Sequence, residues 1–381
     1  MKKRIICILL SVLNILFFAA CGEELNFIIT DIPFAEGSFN VIENGFAVCE
    51  DDDGTEIFKI NRSSGKLVEY YALETSTLID SKKDKILFKG SDGYFVFDIT
   101  GKKRTDLSAT DFPVLDQYVD IGCKFSENAE SIIVTKVIKN PEEPLKAGYT
   151  VLGYNLENET GIYLYDVLGK LKSQVQLSNF GIKKSVKLEI ITVGSDSKNI
   201  GVALKYSALG TSFADEAYYS VDITAGKCEK IGEYKSLESM DTVSDALIFS
   251  DYYVNINSSA VNAVDFQNRK IIKAALPDAD EIRNRMLYIA ENEENFVINQ
   301  ADSGYFGCKI GKDSIEFEAI DSEKFSADNY SVSDIAPWSR VQPASDFYQN
   351  FSEEEFGKIY KTVNDDCYIT EADEKFCIIY K

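Results

Sequence analysis

Short runs of alternating apolar and polar residues recur along the chain, and each ends in a polar residue, a glycine turn and a second run. The clearest is Gly93 to Lys103, where Gly-Tyr-Phe-Val-Phe-Asp is followed by Ile-Thr-Gly-Lys-Lys. Variants lie at Gly161 to Lys170 and at Tyr218 to Lys227. Fainter copies surround Asn61, Asp265 and Gly311. A recurring hairpin of this kind is the sequence signature of a repeat fold.

A second pair of strand-like segments precedes these hairpins, so each unit should contain four strands. The clearest of these pairs are Leu78 to Phe88, Cys123 to Val134 and Ile191 to Leu204. Short segments rich in Val, Ile, Tyr and Phe, separated by Gly, Asn and Asp, favour an antiparallel all-β fold. Because four strands cannot bury both of their faces alone, several such units must stack.

The units resemble those of WD-repeat proteins and of the periplasmic propeller of the Tol system. The segment Cys123 to Val134 is similar to the Phe-Ser-Pro-Asp-Gly-Lys strand-turn-strand of those families. The hairpins resemble the outer half of the blades of those families, which usually carry Trp before the Asp. In three units of this chain that position is occupied by Phe97, Tyr165 and Val221. The resemblance implies that residues 25–381 form a single closed β-propeller.

Seven units are predicted, each of which would be one four-stranded blade. Their bounds are 38–75, 76–112, 113–181, 182–237, 238–277, 278–322 and 323–381. The last unit supplies only three strands, and Leu25 to Thr30 is a spare strand near the other end of the chain. We expect it to pair with Phe376 to Tyr380 and close the ring, since closure removes exposed sheet edges. A sandwich or two stacked β domains is the alternative.

Helix is scarce in the sequence. Ser352 to Glu355 matches a capping box, with Ser at the N-cap and Glu three residues later. Asp278 to Ala290 is a second, weaker helical segment. We expect both to be short helices within loops.

Residues 1–20 have the pattern of a secretory signal, with Lys2, Lys3 and Arg4 before an apolar run that ends at Phe18. This run is too short to span a bilayer as a helix. The sequence Phe-Ala-Ala-Cys ending at Cys21 resembles the bacterial lipobox, which implies lipidation of Cys21, with palmitate as an acyl group, and a tether over residues 21–24. An uncleaved signal anchor is the alternative.

The residue after Cys21 is Gly22 and not Asp. In a bacterium with two membranes, the resemblance to sorted lipoproteins then implies the outer membrane. We therefore expect an extracytoplasmic protein that meets the membrane through the lipid on Cys21.

The charge and the composition exclude several functions. The formal net charge of −22 repels phosphate backbones, so nucleic acid is excluded as a partner. The chain has no histidine, which excludes a Ser-His-Asp triad, a Cys-His pair and a His-ligated metal site within it. We expect neither a cofactor nor a metal.

Beyond Cys7 and Cys21, the chain has six cysteines and no Cys-x-x-Cys pair. They are Cys49, Cys123, Cys228, Cys308, Cys367 and Cys377. Most lie in strand-like runs, and we expect small buried core residues. A disulfide between Cys367 and Cys377 is the one pairing left open.

Two sets of carboxylates invite a chemical interpretation. The cluster from Glu50 to Glu56 could hold calcium through its oxygens, but it lacks the spacing of an EF-hand loop, so we predict a solvated turn. The repeated aspartates could suggest glycoside hydrolysis. Their equivalent positions favour turn capping instead. These aspartates are Asp98, Asp166, Asp222 and Asp265.

Three long insertions predict a binding face. Lys139 to Thr160 and Tyr206 to Glu216 join second to third strands, and Ser326 to Ser352 joins two units. In a propeller all three should emerge on the same face, and long loops of this kind are usually functional. Aromatic and Arg side chains are common anchors of binding sites. The candidate binding residues are therefore Tyr149, Tyr154, Phe213, Trp338, Arg340, Phe347 and Tyr348.

These features favour a lipid-anchored, non-enzymatic binding or scaffold protein at the cell envelope, with an envelope protein or a glycan as partner. The alternative is a glycan hydrolase or lyase that depends on carboxylates and needs no histidine. A third interpretation is an accessory subunit of envelope assembly, similar to the propeller lipoprotein of the barrel insertion machinery. The tryptophan-docking repeats of that family are absent, since Trp338 is the only tryptophan.

Overall fold

The structure is a computed structural model of the 381-residue chain. It describes residues 28–32, 38–42, 45–50, 54–61, 66–107, 111–113, 119–138, 150–151, 154–155, 159–181, 187–194, 196, 198–207, 215–234, 246–248, 251–256, 260–276, 285–289, 295–300, 304–320, 358–364, 367–372 and 375–380.

These residues form seven four-stranded antiparallel sheets and one two-stranded ribbon. Sheet 1 contains β2 (Ser38–Ile42), β3 (Phe46–Glu50), β4 (Thr55–Asn61) and β5 (Lys66–Leu73). Sheet 2 contains β6 (Ser76–Lys82), β7 (Lys85–Gly90), β8 (Gly93–Asp98) and β9 (Lys103–Asp106). Sheet 3 contains β10 (Val119–Phe125), β11 (Ser131–Ile138), β14 (Gly161–Asp166) and β15 (Leu171–Gln176).

Sheet 4 contains β16 (Lys187–Val193), β17 (Asn199–Ser207), β18 (Asp215–Asp222) and β19 (Lys227–Tyr234). Sheet 5 contains β20 (Leu247–Ile248), β21 (Tyr252–Ile256), β22 (Ala260–Asp265) and β23 (Lys270–Ala275). Sheet 6 contains β24 (Arg285–Ile289), β25 (Asn295–Gln300), β26 (Gly304–Ile310) and β27 (Ile315–Ile320). The ribbon consists of β12 (Thr150–Val151) and β13 (Tyr154–Asn155). A 3₁₀ helix, Leu177–Phe180, follows β15.

The terminal sheet joins the two ends of the chain. It contains β1 (Ile28–Ile32), β28 (Lys358–Asn364), β29 (Cys367–Ala372) and β30 (Lys375–Tyr380). β1 pairs antiparallel with β30, with Ile28 opposite Tyr380 and Ile32 opposite Phe376. The predicted pairing of the spare strand with the last strand is therefore confirmed for Ile28–Ile32, and residues 25–27 lie outside the described residues.

In every sheet from 1 to 6, strands that follow one another in the sequence lie side by side. Each sheet lies within one of the seven predicted units. Consecutive four-stranded meanders that pack one on the next are characteristic of propeller blades. The four-stranded sheets agree with the prediction, but the sheets are not closed into a ring in this structure.

Some neighbouring sheets contact one another near their first strands and others along their last strands. Near one edge, which we call the inner edge, β6 contacts β10 and β11 contacts β16. Along the other edge β19 contacts β23, and β23 contacts β27. The inner edge of sheets 2, 3 and 4 is thus formed by their first strands, β6, β10 and β16.

The core lies between the sheets, and β11 shows how the sequence builds it. Ile132 packs with Leu87 of sheet 2, whereas its neighbour Ile133 packs with Val202 of sheet 4. Successive side chains of a strand point to opposite faces, and both faces of sheet 3 are covered. A continuous apolar run such as Ser-Ile-Ile-Val is therefore required here in place of strict alternation.

The four repeated aspartates cap the turns that follow their strands. Asp98 accepts a hydrogen bond from the backbone N–H of Gly101 at 2.8 Å, and Asp166 accepts one from Lys170 at 3.0 Å. Asp222 accepts one from Ala225 at 2.9 Å, and this bond is the main reason that the pKa of its carboxyl lies below the ordinary value. Asp265 accepts one from Asn268 at 2.8 Å. Turn capping, as predicted, explains the repeat.

One sequence-based expectation is wrong, and one open alternative is excluded. The segment Asp278 to Ala290 was expected to be helical, but residues 285–289 form β24, because pairing with β25 outweighs the weak helical pattern. The disulfide between Cys367 and Cys377, which the sequence left open, is excluded. Cys377 lies opposite Thr370, three residues from Cys367. At about 3.3 Å per residue this separation is roughly 10 Å, beyond the reach of a disulfide.

The other capping-box segment, Ser352 to Glu355, lies outside the described residues. The cysteines at 49, 123, 228 and 308 lie in or against the core, as expected. In the part of the chain given above, no helix is long and apolar enough to cross a membrane.

Candidate functional site

A cleft of about 660 Å³ opens at the inner edge of sheets 2, 3 and 4. Its walls come mainly from the first strands β6, β10 and β16, with further side chains from β8 and β11, and they are both apolar and charged. The side chains that matter for its chemistry are Asp80, Tyr94, Cys123, Lys124, Glu189 and Thr192. A concave site with mixed apolar walls and a few convergent polar groups is a default ligand-binding candidate. We call it the inner cleft.

Asp80, on β6, connects sheet 2 to sheet 3. Its Oδ2 accepts a hydrogen bond from the backbone N–H of Phe125 at 2.6 Å, and its Oδ1 accepts one from Ser81 at 2.8 Å. Burial raises the pKa of this carboxyl, while the two N–H donors and the nearby Lys124 act in the opposite direction. The carboxylate therefore satisfies a backbone donor at the edge of the next sheet.

Lys124, on β10, connects sheet 3 to sheet 4. Its ammonium donates to the carbonyl oxygen of Thr192 at 3.0 Å and to that of Gly194 at 2.6 Å. Burial lowers the pKa of Lys124 to about 8, and the attraction of Asp80 only partly opposes this. Strongly perturbed titratable groups in a cleft are functional-site candidates, although such groups also occur in structural networks.

Two further polar groups line the inner cleft, the buried Tyr94 and the half-buried Cys123. Tyr94 is 4 % exposed, and its hydroxyl has no hydrogen-bond partner among the described residues. Burial raises the pKa of this hydroxyl and that of the Cys123 thiol, so both groups are protonated at neutral pH. A buried hydroxyl without a protein partner is costly unless water or a ligand satisfies it. Tyr94 is therefore available to bind a ligand.

Two carboxylates, Asp80 and Glu189, line the inner cleft together. A pair of carboxylates in one pocket is what the glycosidase alternative requires. Both oxygens of Asp80 already accept backbone N–H groups, which explains this residue as a connection between sheets.

A second polar cluster lies buried between sheets 4 and 5, and we call it the Glu216 cluster. Glu216 is fully buried, with Tyr218, Tyr253 and Asn255 as its donors. Tyr218 and Asn255 donate to Oε2 at 2.6 and 2.7 Å, and Tyr253 donates to Oε1 at 3.1 Å. Asn262 extends the cluster by donating to the amide oxygen of Asn255 at 2.8 Å.

The cause of the tyrosine pKa shifts in this cluster is clear. Burial, followed by the negative charge of Glu216, raises the pKa of Tyr218 and of Tyr253, so both hydroxyls remain donors. No lysine or arginine of the described residues forms an ion pair with Glu216. The carboxylate is satisfied by neutral donors alone. It lies at the start of β18, directly after the connection 208–214.

The residues predicted from the sequence to bind a partner lie largely outside the described part. These are Tyr149, Phe213, Trp338, Arg340, Phe347 and Tyr348, together with the lipidation candidate Cys21. Tyr154 begins β13, and the structure describes only its backbone. The connections 139–160 and 208–214 do join second to third strands, β11 to β14 and β17 to β18, as the prediction requires.

The acidic cluster from Glu50 to Glu56 is described only in part, since residues 51–53 lie outside the described residues. Glu50 Oε1 accepts a hydrogen bond from the backbone N–H of Leu78 at 2.6 Å. Within the described part, no group of three or more Cys, Asp or Glu residues is placed to hold a metal ion.

Comparisons with known proteins give structural similarity only. No family model matches the chain, and no curated protein matches it. The WD40 domain of SCAP from fission yeast is 11% identical with a TM-score of 0.48, over 93% of this chain and 98% of that chain. Saccharomyces cerevisiae Sqt1 is 9% identical with a TM-score of 0.40, over 90% and 83%. Apo AztD from Citrobacter koseri is 11% identical with a TM-score of 0.37, over 77% and 78%. At these values the similarities support no conclusion about function.

Sequence reasoning missed Asp80, Lys124 and Glu216. Asp80 and Lys124 bond to partners 45 to 70 positions away in the chain, and Glu216 bonds to partners as far as 39 positions away. The one available signal was a charged residue inside a strand-like run, such as Leu-Ile-Asp-Ser-Lys. That pattern is equally typical of a solvated strand face.

Proposed function

We propose that the chain is a lipid-anchored, extracytoplasmic β-propeller of seven blades that serves as a non-enzymatic binding or scaffold protein at the cell envelope. The observation that supports this proposal best is the order of the sheets. Six four-stranded meanders follow one another, and the first described strand completes the seventh sheet by pairing with the last strand. Pairing of the two chain ends in one blade is an effective way to close such a ring.

The same topology supports one face as the binding face. In a four-stranded meander, the connections from the second strand to the third and from one sheet to the next leave on the same side. The connections 139–160, 208–214 and 321–357 are all of these two kinds. The anchors proposed for this face are Trp338 and Arg340, with a protein or a glycan of the cell envelope as partner.

The anchor proposed for the chain is the lipid on Cys21, after removal of residues 1–20. This places the propeller outside the cytoplasm, and at the outer membrane if the bacterium has two membranes. The glycosidase alternative would use Asp80 and Glu189 in the inner cleft, but the hydrogen bonds of Asp80 favour the scaffold.

The test is capture of envelope components by the soluble form, residues 22–381. We expect wild-type protein to retain a specific envelope protein or glycan, and the double variant Trp338→Ala with Arg340→Ala to lose it. The melting temperature should remain nearly unchanged, because loop anchors contribute little to the core.

The matched control is Arg269→Ala. Arg269 lies in the turn between β22 and β23, on the opposite side of the sheets, and its side chain is about half exposed. This variant should retain the partner. Equal loss of capture in both variants, or full capture by the double variant, would reject the proposed face.

A further inference from the structure

Lys124 differs from the ion-paired lysines of the described part in what its ammonium contacts. Lys136 and Lys270 face carboxylates, those of Glu159 at 3.3 Å and Asp313 at 2.7 Å. Lys124 instead donates to two backbone carbonyl oxygens, and no carboxylate of the described residues lies within ion-pair distance of it. Its two close partners are therefore neutral.

Two carbonyl acceptors satisfy every N–H of a neutral amine but only two of the three N–H groups of an ammonium. A neutral amine has two N–H groups and one lone pair, whereas an ammonium has three N–H groups. The carbonyl oxygens of Thr192 and Gly194 use two N–H groups, and the third proton has no described acceptor. The other charged groups that line the cleft are Asp80, Lys82 and Glu189. Burial nevertheless outweighs the attraction of Asp80 and lowers the pKa of Lys124 to about 8.

The inner cleft gives a small molecule access to this amine. Lys124 is partly exposed on its wall, beside the apolar side chains of Ile79 and Ile121. Tyr94 also lines the cleft, and its hydroxyl has no partner among the described residues. The volume of about 660 Å³ is in the range of small-molecule sites.

We propose that Lys124 is a modification site, an amine that captures small aldehydes entering the inner cleft. The nitrogen lone pair forms a C–N bond to the carbonyl carbon, and the π electrons move to the oxygen. A proton passes from nitrogen to that oxygen to give a carbinolamine. Loss of its hydroxyl with a second proton, as water, leaves an imine.

This step consumes one aldehyde, releases one water and requires no oxidant or reductant. The protonated imine retains one N–H, which can still donate to one of the two carbonyl oxygens. Capture at Lys124 goes beyond the proposed binding function and does not depend on it.

The experiment uses the full chain in detergent, benzaldehyde as the probe and cyanoborohydride to trap the imine. Peptide mass spectrometry then gives a separate labelling rate for each lysine. At pH 7 the neutral fraction of Lys124 is roughly 300 times that of an ordinary lysine. A weaker base is also a weaker nucleophile, so we expect labelling about tenfold faster than at an exposed lysine, with a midpoint near pH 8.

Lys103 is the internal control, since it is exposed on β9 at the opposite edge of sheet 2. Lys103→Arg should leave the fast labelling unchanged, and Lys124→Arg should remove it. Equal rates at Lys124 and Lys103 in the wild-type protein would overturn the proposal, and so would a fast phase that persists in Lys124→Arg. If Lys124→Arg does not fold, the labelling rates of Lys124 and Lys103 in the wild-type protein are sufficient to test the proposal.

Discussion

Replacement of Glu216 by alanine should destabilise the protein more than any surface substitution. Glu216 is fully buried and accepts hydrogen bonds from Tyr218, Tyr253 and Asn255. A hydrogen bond to a charged group contributes about 1.5–3 kcal/mol, and three bonds to one carboxylate are not additive. Truncation also leaves buried donors without an acceptor. We therefore expect Glu216→Ala to lower the free energy of unfolding by about 3–5 kcal/mol.

Smaller changes in the same cluster should cost less. Tyr253→Phe removes one donor and keeps the ring, so a loss of about 1–2 kcal/mol is expected. Glu216→Gln keeps the shape but turns one acceptor into a donor that faces other donors, and it should fall between these two variants. The three values together separate the hydrogen bonds from the packing of the side chains.

The assay is equilibrium unfolding in urea, followed by far-ultraviolet circular dichroism on the soluble form. Glu229→Ala is the matched control, because Glu229 lies on β19 of the same sheet and forms an exposed ion pair with Arg269. Exposed pairs contribute about 0–1 kcal/mol. A loss for Glu216→Ala no larger than that of Glu229→Ala would refute the assigned role of the cluster.

Two further predictions concern lipid and metal. If Cys21 is lipidated, Cys21→Ser should leave unprocessed precursor and abolish labelling by a fatty-acid analogue, and normal labelling of the variant would contradict the lipoprotein assignment. For the acidic cluster from Glu50 to Glu56 we expect no calcium-dependent change in melting temperature, because Glu50 already accepts the backbone N–H of Leu78. A saturable rise at millimolar calcium would show that the solvated-turn interpretation is wrong.

The sequence was sufficient to predict the local elements, because short-range rules determine them. The aspartate and glycine turns around Asp98 and Asp222 follow from turn chemistry within four residues. The pairing of β1 with β30 followed from counting strands, since the last unit was one strand short. The segment 285–289 was wrongly predicted to be helical. It is a strand because it pairs with β25, and the residues of the segment alone do not indicate that pairing.

The inner cleft could not be predicted, since its polar groups act between sheets. Asp80 bonds to Phe125 and Lys124 bonds to Gly194, and both bonds depend on how one unit packs against the next. The aspartate repeat is visible because it recurs in several units. Asp80 and Lys124 do not recur in this way, so the sequence marks them only as isolated charges in strand-like runs.

The most direct test of the proposed ring closure is the stability of the soluble form after deletion of residues 22–32. This deletion removes β1, which leaves β30 paired with β29 alone and exposes its other edge. Deletion of residues 22–26 alone is the control, because β1 begins at Ile28. We predict that the longer deletion lowers the melting temperature of the whole chain in one transition and that the control deletion does not. Equal melting temperatures for both truncated proteins would contradict a ring closed by β1.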